Sequence, residues 1–285
     1  MSTSVSSRPY RGIGLTLPAL LVMTGLAIIP ILAVLQRAVT HGPGELTRLF
    51  EMPSFGKVMV NTVVWTVLAV VLALVIGYVA ALLLRSRYLR LPGLWRSLLM
   101  IPWIIPGVVG ATVWRWSLSS DYGVLNHTLQ QLGLIDEPVR WLSNPDVVLF
   151  AVVMVQVWTT VPFVMLLVSA ALTGIPEERY EAARLDGANG LQIFRHIVLP
   201  ELRPTTGVAA LTLVVWALNS FTIIFVMTGG GPASSSTILP ILLYQAFNRG
   251  DAAMVTTVAV VQLIICAVCA VAYVRSVRDD LEVSR

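Results

Sequence analysis

The sequence predicts an all-α integral membrane protein with six transmembrane helices. Of its 285 residues, 56% are apolar and only 12% are charged, and the mean hydropathy is +0.82. Soluble domains average about 25% charged residues, whereas a helix that crosses a bilayer needs about 20 consecutive apolar ones. Long uncharged runs of that kind alternate with short charged segments along the whole chain.

These uncharged runs define the spans of a single transmembrane domain, residues 1–285. The predicted spans lie near 12–36, 58–84, 97–117, 147–172, 205–227 and 252–274. The first run is too long for the apolar core of a signal peptide and lacks a clear small-residue cleavage site, so we interpret it as a retained helix. The run TGGGPASSS ends the fifth span because it cannot continue a helix. A short outer segment at 238–247 follows it.

The distribution of positive charge predicts the orientation of these spans. If the N-terminus is cytoplasmic, most of the 19 lysine and arginine residues fall in the inner segments. The positive-inside rule therefore predicts that both termini are cytoplasmic. The outer segments hold Arg37, Arg48, Lys57, Arg115, Arg140 and Arg249.

The composition argues against several classes of function. The net charge of +4 is scattered among apolar runs and forms no basic stripe, so a nucleic-acid-binding face is not expected. Cys266 and Cys269 lie inside the last apolar run and are interpreted as small apolar residues on a lipid-embedded helix. Three separate histidines form no ligand cluster, so no metal site is predicted. No catalytic residue is predicted either, because no acid–base or nucleophile pair lies at membrane depth.

One charged segment, residues 176–204, lies between the fourth and fifth spans. Its first part begins with acidic residues, which favour the positive end of a helix dipole, and should end at Gly187. Its second part has an apolar face, because Leu191, Phe194 and Val198 recur at helical spacing. Two short helices of this kind suit either docking onto another protein or lying on lipid headgroups.

Seven positions of this segment fit a known spacing. The pattern is E-A-A, three residues, G, nine residues, then I-x-L-P. It resembles the EAA motif in the membrane subunits of bacterial ABC importers. In that family the segment is the coupling helix, which sits in a cleft of the cytoplasmic ATPase subunit. The resemblance implies the type I ABC importer permease fold, located in the bacterial plasma (inner) membrane.

The same resemblance assigns roles to individual residues of the segment. Small side chains at Ala182 and Ala183 would let a partner approach the helix backbone, and Glu181 would accept charge-assisted hydrogen bonds. Gly187 would permit the bend between the two helices. The implied ATPase-coupling residues are Glu181, Ala182, Ala183, Asp186, Gly187, Ile197, Leu199 and Pro200.

The chain has no nucleotide-binding P-loop of its own. Such a loop needs G-x-x-x-x-G-K-[ST], and the chain's only lysine, Lys57, lies in the sequence FGKV on the predicted outer side. The energy for transport is therefore expected from a separate subunit, which makes this chain a permease and not an ATPase.

Three further stretches resemble the carbohydrate-uptake branch of the importers. They are FGKVMVNT before span two, WRWSLSSDYGVLNHTLQQLGL between spans three and four, and MTGGGPASSSTILPILLYQAF after span five. The similarity extends from about residue 50 to 275 and is greatest to the larger maltose-permease subunit and its glycerol-phosphate and disaccharide relatives. From the residues alone, the glycine run is a turn and the W-x-W pair also fits an interfacial aromatic belt.

Polar and aromatic residues at mid-membrane depth are the candidates for a cargo site, because buried polar groups are costly in a bilayer. Span four offers Gln156 and Thr159 near Pro162, which is expected to kink the helix. Aromatic faces with hydroxyl and amide groups suit a sugar, although packing between helices needs similar residues. By similarity to the maltose-type permease, the predicted substrate-binding residues are Trp158, Thr160, Phe163, Trp216, Asn219, Ser220 and Phe221. No predicted mid-membrane position is charged, which favours a neutral cargo.

The sequence thus predicts a permease that imports an oligosaccharide, a disaccharide or a related polyol by alternating access. The expected partners are a second homologous permease, two ATPase subunits, an extracytoplasmic binding protein and membrane lipid. ATP and Mg would be bound by the ATPase subunits, with no cofactor on this chain. One alternative is an importer permease for glycerol-3-phosphate, another phosphate ester or a polyamine. A channel or membrane scaffold that needs no ATPase is the other alternative.

Overall fold

The computed structural model describes residues 10–42, 44–86 and 88–283, and these residues fold into helices joined by short turns, without a strand. One π-helical turn, Phe194–Val198, lies between α9 and α10. The α-helices in chain order are α1 (Tyr10–His41), α2 (Gly44–Glu51), α3 (Phe55–Arg85), α4 (Pro92–Ile104), α5 (Gly107–Ser117), α6 (Val124–Gln131), α7 (Val148–Thr173), α8 (Glu177–Leu185), α9 (Gly190–Ile193), α10 (Leu199–Glu201), α11 (Arg203–Leu218), α12 (Thr222–Met227), α13 (Leu239–Asn248) and α14 (Ala252–Val283).

Four of these helices, α1, α3, α7 and α14, are long and apolar enough to cross a bilayer unaided. Two bent pairs bring the number of candidate spans to six if each pair is one span: α4 with α5, and the segment Gly190–Glu201 with α11. The all-helical class and the helix count therefore agree with the sequence. The details of the third and fifth spans do not.

The third span is broken, whereas the sequence led us to expect one helix over 97–117. Helices α4 and α5 meet at an angle of 96°. Ile105 and Pro106 between them are extended, with ψ angles of 129° and 132°. The reason is steric, since a proline pushes the residue before it out of the helical region. The chain, which was expected to run straight across the membrane here, turns sharply instead.

The fifth span is also broken, where a continuous helix was expected over 205–227. Helix α11 ends at Leu218, and α12 begins at Thr222. Neither proline nor glycine lies in the three residues between them. Helix α7 continues through Pro162 without a break.

The core is built on the close approach of α3 and α7. A Cβ atom at Gly77 would lie 2.5 Å from Cβ of Val164, so the absence of a side chain lets the two backbones approach. Trp65, Val164 and Met165 are fully buried in this core, which α11 completes. A second cluster joins α2, α13 and α14 around Leu49. The first cluster also includes residues of the broken spans, among them Ala111 and Ile224.

Candidate functional site

Side chains from two neighbouring helices form hydrogen bonds with the break in the fifth span. From α14, Gln262 Nε2 donates to the carbonyl of Leu218 and to Oδ1 of Asn219, both at 3.1 Å. From α7, Gln156 Oε1 accepts a hydrogen bond from Ser220 Oγ at 3.1 Å. Backbone and side-chain polar groups inside a membrane must be satisfied within the protein, and these amides serve that purpose at the break.

The two broken spans meet at a cavity of about 260 Å³. The break in span five contributes Asn219, Ser220 and Phe221, and α7 contributes Gln156 and Thr159. The break in span three supplies another part of the wall, which sequence reasoning missed. Those residues, with two from α12, are Pro102, Trp103, Ile105, Gly107, Thr222 and Ile223. The two prolines in IPWIIPG were the available signal, because each marks a point where a helix tends to stop.

Aromatic rings extend from this cavity into the surrounding helices. The rings of Trp103 and Phe163 have centroids 6.1 Å apart, and Phe163 and Trp216 are 4.6 Å apart. Phe221 stacks on Phe225 with the centroids at 4.8 Å. The predicted residues Phe163 and Trp216 thus contact each other, and Trp103, which was not predicted, contacts Phe163.

Four of the seven predicted substrate-binding residues are not part of the cavity wall. Phe163 and Trp216 belong to the row of rings behind it, and Trp158 and Thr160 make other contacts. Trp158 packs edge-on against Trp114 with centroids 5.6 Å apart. Thr160 is buried, and its hydroxyl donates to the Gln156 carbonyl within α7 at 2.8 Å. In this conformation Trp158 and Thr160 support the helices around the cavity.

The charged segment between α7 and α11 forms two short helical parts joined by a sharp turn. Helix α8 ends at Leu185, and Gly187 adopts a φ of +79°, which favours glycine. Asn189 then begins the second part through a reciprocal capping box with Gln192, with hydrogen bonds of 3.0 and 2.8 Å. The second part runs through the π-helical turn and bends by 67° into α11, so it is attached directly to the broken fifth span.

Most of the implied coupling residues are accessible. Glu181, Ala182, Asp186, Gly187, Leu199 and Pro200 are exposed, while Ala183 and Ile197 are half-buried. Leu185 and Leu191 are 89% and 75% exposed, which is unusual for leucines on a polar segment. Between the two parts is a concave surface of about 300 Å³ whose wall includes Ala183, Gly187 and Ile197.

Arg85, at the end of α3, connects this segment to the transmembrane core. Its guanidinium lies 4.7 Å from the ring centroid of the buried Tyr180 and 3.3 Å from the carboxylate of Glu177. It also donates to the carbonyl of Leu172 at the end of α7. A single side chain thus links α3, α7 and α8. The pair Arg179–Glu201 joins the two parts of the segment.

No group of three or more histidine, cysteine, aspartate or glutamate residues is arranged to hold a metal ion in the part of the chain that the structure describes.

A family model described as "Binding-protein-dependent transport system inner membrane component" matches residues 73–278. A probable ABC transporter permease protein of Brucella suis biovar 1 is 37% identical over 232 residues, covering 81% of this chain and 80% of the relative. The trehalose/maltose transport system permease protein MalF of Thermococcus litoralis is 33% identical over 270 residues, covering 91% and 90%.

Among solved structures, a chain of a bacterial alginate ABC transporter in complex with an alginate pentasaccharide-bound periplasmic protein has a TM-score of 0.81. Its sequence is 20% identical, and the likeness covers 93% of each chain. At this identity the likeness concerns the fold.

Proposed function

This chain belongs to the binding-protein-dependent transport system inner membrane components, so it is a permease subunit of an ABC transporter, and from that premise we propose that its cargo is a carbohydrate. ATP hydrolysis takes place in a separate ATPase subunit, which removes the ATPase-independent channel from consideration. The proposed cargo class is an oligosaccharide, a disaccharide or a related polyol.

The observation that carries this proposal is the cavity between the two broken spans. Its wall combines amide and hydroxyl groups with the aromatic residues Trp103 and Phe221. Sugars are bound by such a mixture, in which ring faces contact C–H groups and polar groups bond the hydroxyls. None of the described residues in the wall is charged, which argues against a phosphate ester or a polyamine. The trehalose/maltose permease of Thermococcus litoralis supports the same class.

We propose that the segment 176–204 transmits movement from the ATPase subunit to the cavity. Exposed Glu181 and Ala182 would contact the ATPase, while Arg85 and the bend into α11 connect the segment to α3 and to the broken span. A rigid displacement of α8 would therefore move both walls of the cavity and alternate its access. The remaining sequence predictions follow as part of the proposal: both termini cytoplasmic, a second permease, two ATPases with ATP and Mg, an extracytoplasmic binding protein, and no cofactor on this chain.

Coupling is tested by two variants on the exposed face of the segment. Glu181→Lys reverses a charge, and Gly187→Pro fixes φ near −65° where +79° is needed. We expect normal membrane insertion, uptake reduced at least about tenfold, and weaker retention of the ATPase on purification. Glu178→Lys, on the same exposed helix outside the motif, is the matched control. Full uptake by both variants would refute the coupling role.

The cargo is tested by uptake into proteoliposomes that contain the complete transporter and its binding protein. Labelled di- and oligosaccharides should be imported, and glycerol-3-phosphate and polyamines should not. Asn219→Ala should raise the half-saturating cargo concentration about tenfold, since it removes an amide from the cavity. Thr212→Val serves as the control because the Thr212 hydroxyl bonds within α11. Import of a phosphate ester or a polyamine alone would overturn the carbohydrate assignment.

A further inference from the structure

The segment between α5 and α7 contains the pattern Y-G-x-x-N, and the structure shows what its glycine and asparagine do. A Cβ atom at Gly123 would lie 2.3 Å from the carbonyl oxygen of Ser119, so only glycine fits there. Asn126 is 3% exposed, and its Oδ1 accepts from the Val139 N–H at 3.2 Å and from Trp141 Nε1 at 2.9 Å. Its Nδ2 donates to the Val139 carbonyl at 3.0 Å. The pattern therefore fastens residues 139–141 against the end of α5.

This arrangement brings two arginines, Arg115 and Arg140, to one pocket of about 400 Å³. Trp116 and Tyr122 also line the pocket, and their side chains are 65% and 74% exposed. The wall also contains the three serines Ser119, Ser120 and Ser143. Exposed aromatic rings beside guanidinium groups are typical of surfaces that bind other proteins.

The two arginines of this pocket have no ion-pair partner among the described residues. None of the residues that line the pocket is acidic, and none of the ion pairs found between described residues includes Arg115 or Arg140. Asp121, beside the wall, accepts a hydrogen bond from Ser120 Oγ at 3.1 Å. Arg115 is held in place by a hydrogen bond of 3.2 Å from its Nη1 to the Val226 carbonyl. Two guanidinium groups without an ion-pair partner favour a carboxylate, which they can bind through paired hydrogen bonds.

The pocket is separate from the cavity proposed for the cargo. Gly107, in the cavity wall, begins the helix whose last turn carries Arg115, so about 12 Å of helix lies between them at 1.5 Å per residue. The cavity wall has no charged residue among those described, so an anionic cargo attracted by the arginines would find no cation further along. An anionic cargo is therefore not the expected partner of the arginines.

We propose that this pocket, on the outer side, is a docking site for carboxylate side chains on the surface of the extracytoplasmic binding protein. The proposal rests on the proposed function, because only an importer has such a partner. Arg115 and Arg140 bind the carboxylates, while Trp116 and Tyr122 contact the surrounding surface. The site fixes the register of docking and speeds association through charge.

The test uses the complete transporter in nanodiscs, titrated with its purified binding protein while ATP hydrolysis is measured. Arg140→Ala should raise the half-stimulating concentration of binding protein about tenfold, and Arg140→Glu should raise it further. The dependence of that concentration on salt should become shallower in both variants. Arg249→Ala, an exposed arginine of another outer turn, is the matched control and should behave as wild type.

The other possible outcomes show whether the docking assignment, the importer function or the identity of the bound partner is wrong. If Arg140→Glu matches the control while wild type responds to the binding protein, the docking assignment is wrong and the importer function stands. If wild type does not respond at all, the importer function fails and the docking site with it. An effect of Arg140→Glu that persists without binding protein and changes with phosphatidylglycerol content indicates a lipid site. Competition by free galacturonate oligomers at constant binding protein indicates a saccharide site. Either result overturns the proposal.

Discussion

Two polar segments lie at opposite ends of the fifth span, and they differ in how closely they are held by the rest of the chain. By the proposed orientation they are called the outer loop, residues 228–238, and the inner segment, residues 176–204. The outer loop is fastened by hydrogen bonds: Asn61 Nδ2 donates to the carbonyls of Ser234 at 2.9 Å and Thr237 at 3.1 Å. Lys57 donates to Ser235 Oγ at 2.8 Å. The inner segment instead leaves two leucines almost fully exposed.

The difference shows that the outer loop is held by contacts within this chain, whereas one face of the inner segment has no such contacts. In the outer loop, backbone groups are satisfied by side chains of α3, so its conformation needs no partner. In the inner segment, buried Tyr180, Val198 and Leu202 anchor one face only, and the motif residues of the other face are free to contact an ATPase. Substitutions in the outer loop should therefore reduce stability, whereas substitutions in the inner segment should reduce coupling.

The largest expected effect comes from a matched pair of glycines, both of which have a positive φ. A Cβ at Gly230 would lie 2.6 Å from Thr237 Oγ1 and 2.8 Å from Ile241 Cγ2, whereas one at Gly187 would contact nothing within 4 Å. Gly230→Ala should destabilise the fold by about 2–5 kcal/mol, from strain and overpacking together. Gly187→Ala should cost about 1–2 kcal/mol, from strain alone.

The stability of the two variants is measured by thermal unfolding of the purified transporter, followed by tryptophan fluorescence. Uptake at a temperature where both variants remain folded gives the second readout, in which Gly187→Ala should be the more impaired. Equal loss of stability in the two variants would show that the outer loop is no more tightly held than the inner segment.

A smaller effect is expected from Asn61→Ala, which removes the amide that bonds two loop carbonyls. Unsatisfied buried acceptors cost about 1–3 kcal/mol, so the unfolding temperature should fall while coupling of ATP hydrolysis to uptake persists. Asn248→Ala, an exposed asparagine at the end of α13, is the control. If Asn61→Ala were to uncouple transport without loss of stability, the assignment of the outer loop as a structural element would be wrong.

The smallest expected effect is the pH dependence of stability that arises from Asp251, just before the start of α14. Asp251 accepts a hydrogen bond from the Met254 N–H at 3.1 Å and one from Arg48 at 2.8 Å. The Met254 N–H is the larger cause, and with Arg48 it holds the pKa of Asp251 below its ordinary 3.8. Because the folded pKa is lowered, this stabilisation is complete above the unfolded-state pKa and is lost as the pH falls through the folded pKa.

The difference in unfolding temperature between wild type and Asp251→Asn should therefore be constant from neutral pH to about pH 5 and shrink below about pH 4. Asp136→Asn, an exposed carboxyl of another outer loop, is the control. A difference that grows on acidification would contradict the sign of the lowered pKa.

Local rules predicted much of the coupling segment. An acidic first turn and a glycine stop act between residues close in sequence, so α8 and the turn at Gly187 follow from the residues themselves. The capping box of Asn189 is also local but was not predicted. The family spacing supplied the motif. What the sequence did not predict is that the second part continues through a π-helical turn into span five, because that depends on the burial of Val198 and Leu202 against other helices.

The cavity was predicted less completely. Asn219 and Ser220 were found because polar residues at membrane depth are rare and therefore conspicuous, and Phe221 was predicted from the family resemblance of spans four and five. Trp103 was missed because it lies in span three, outside the stretches on which that resemblance rests. The placement of Trp158 against Trp114, and of Thr160 within its own helix, depended on how α7 is rotated about its axis. Residues on every side of α7 are apolar, so its sequence offers no amphipathic pattern from which to read that rotation.

The sequence by itself determined the family of the protein, its all-helical class and its approximate number of spans, because hydropathy, helix-stop residues and fixed motif spacing are properties of short stretches of the chain. Only the tertiary structure decided where spans three and five break and which side chains meet at the break. The break at 219–221 contains no proline or glycine; there Gln156 and Gln262, distant in sequence, satisfy groups that a membrane cannot. Interactions of that kind exist only once the helices have packed.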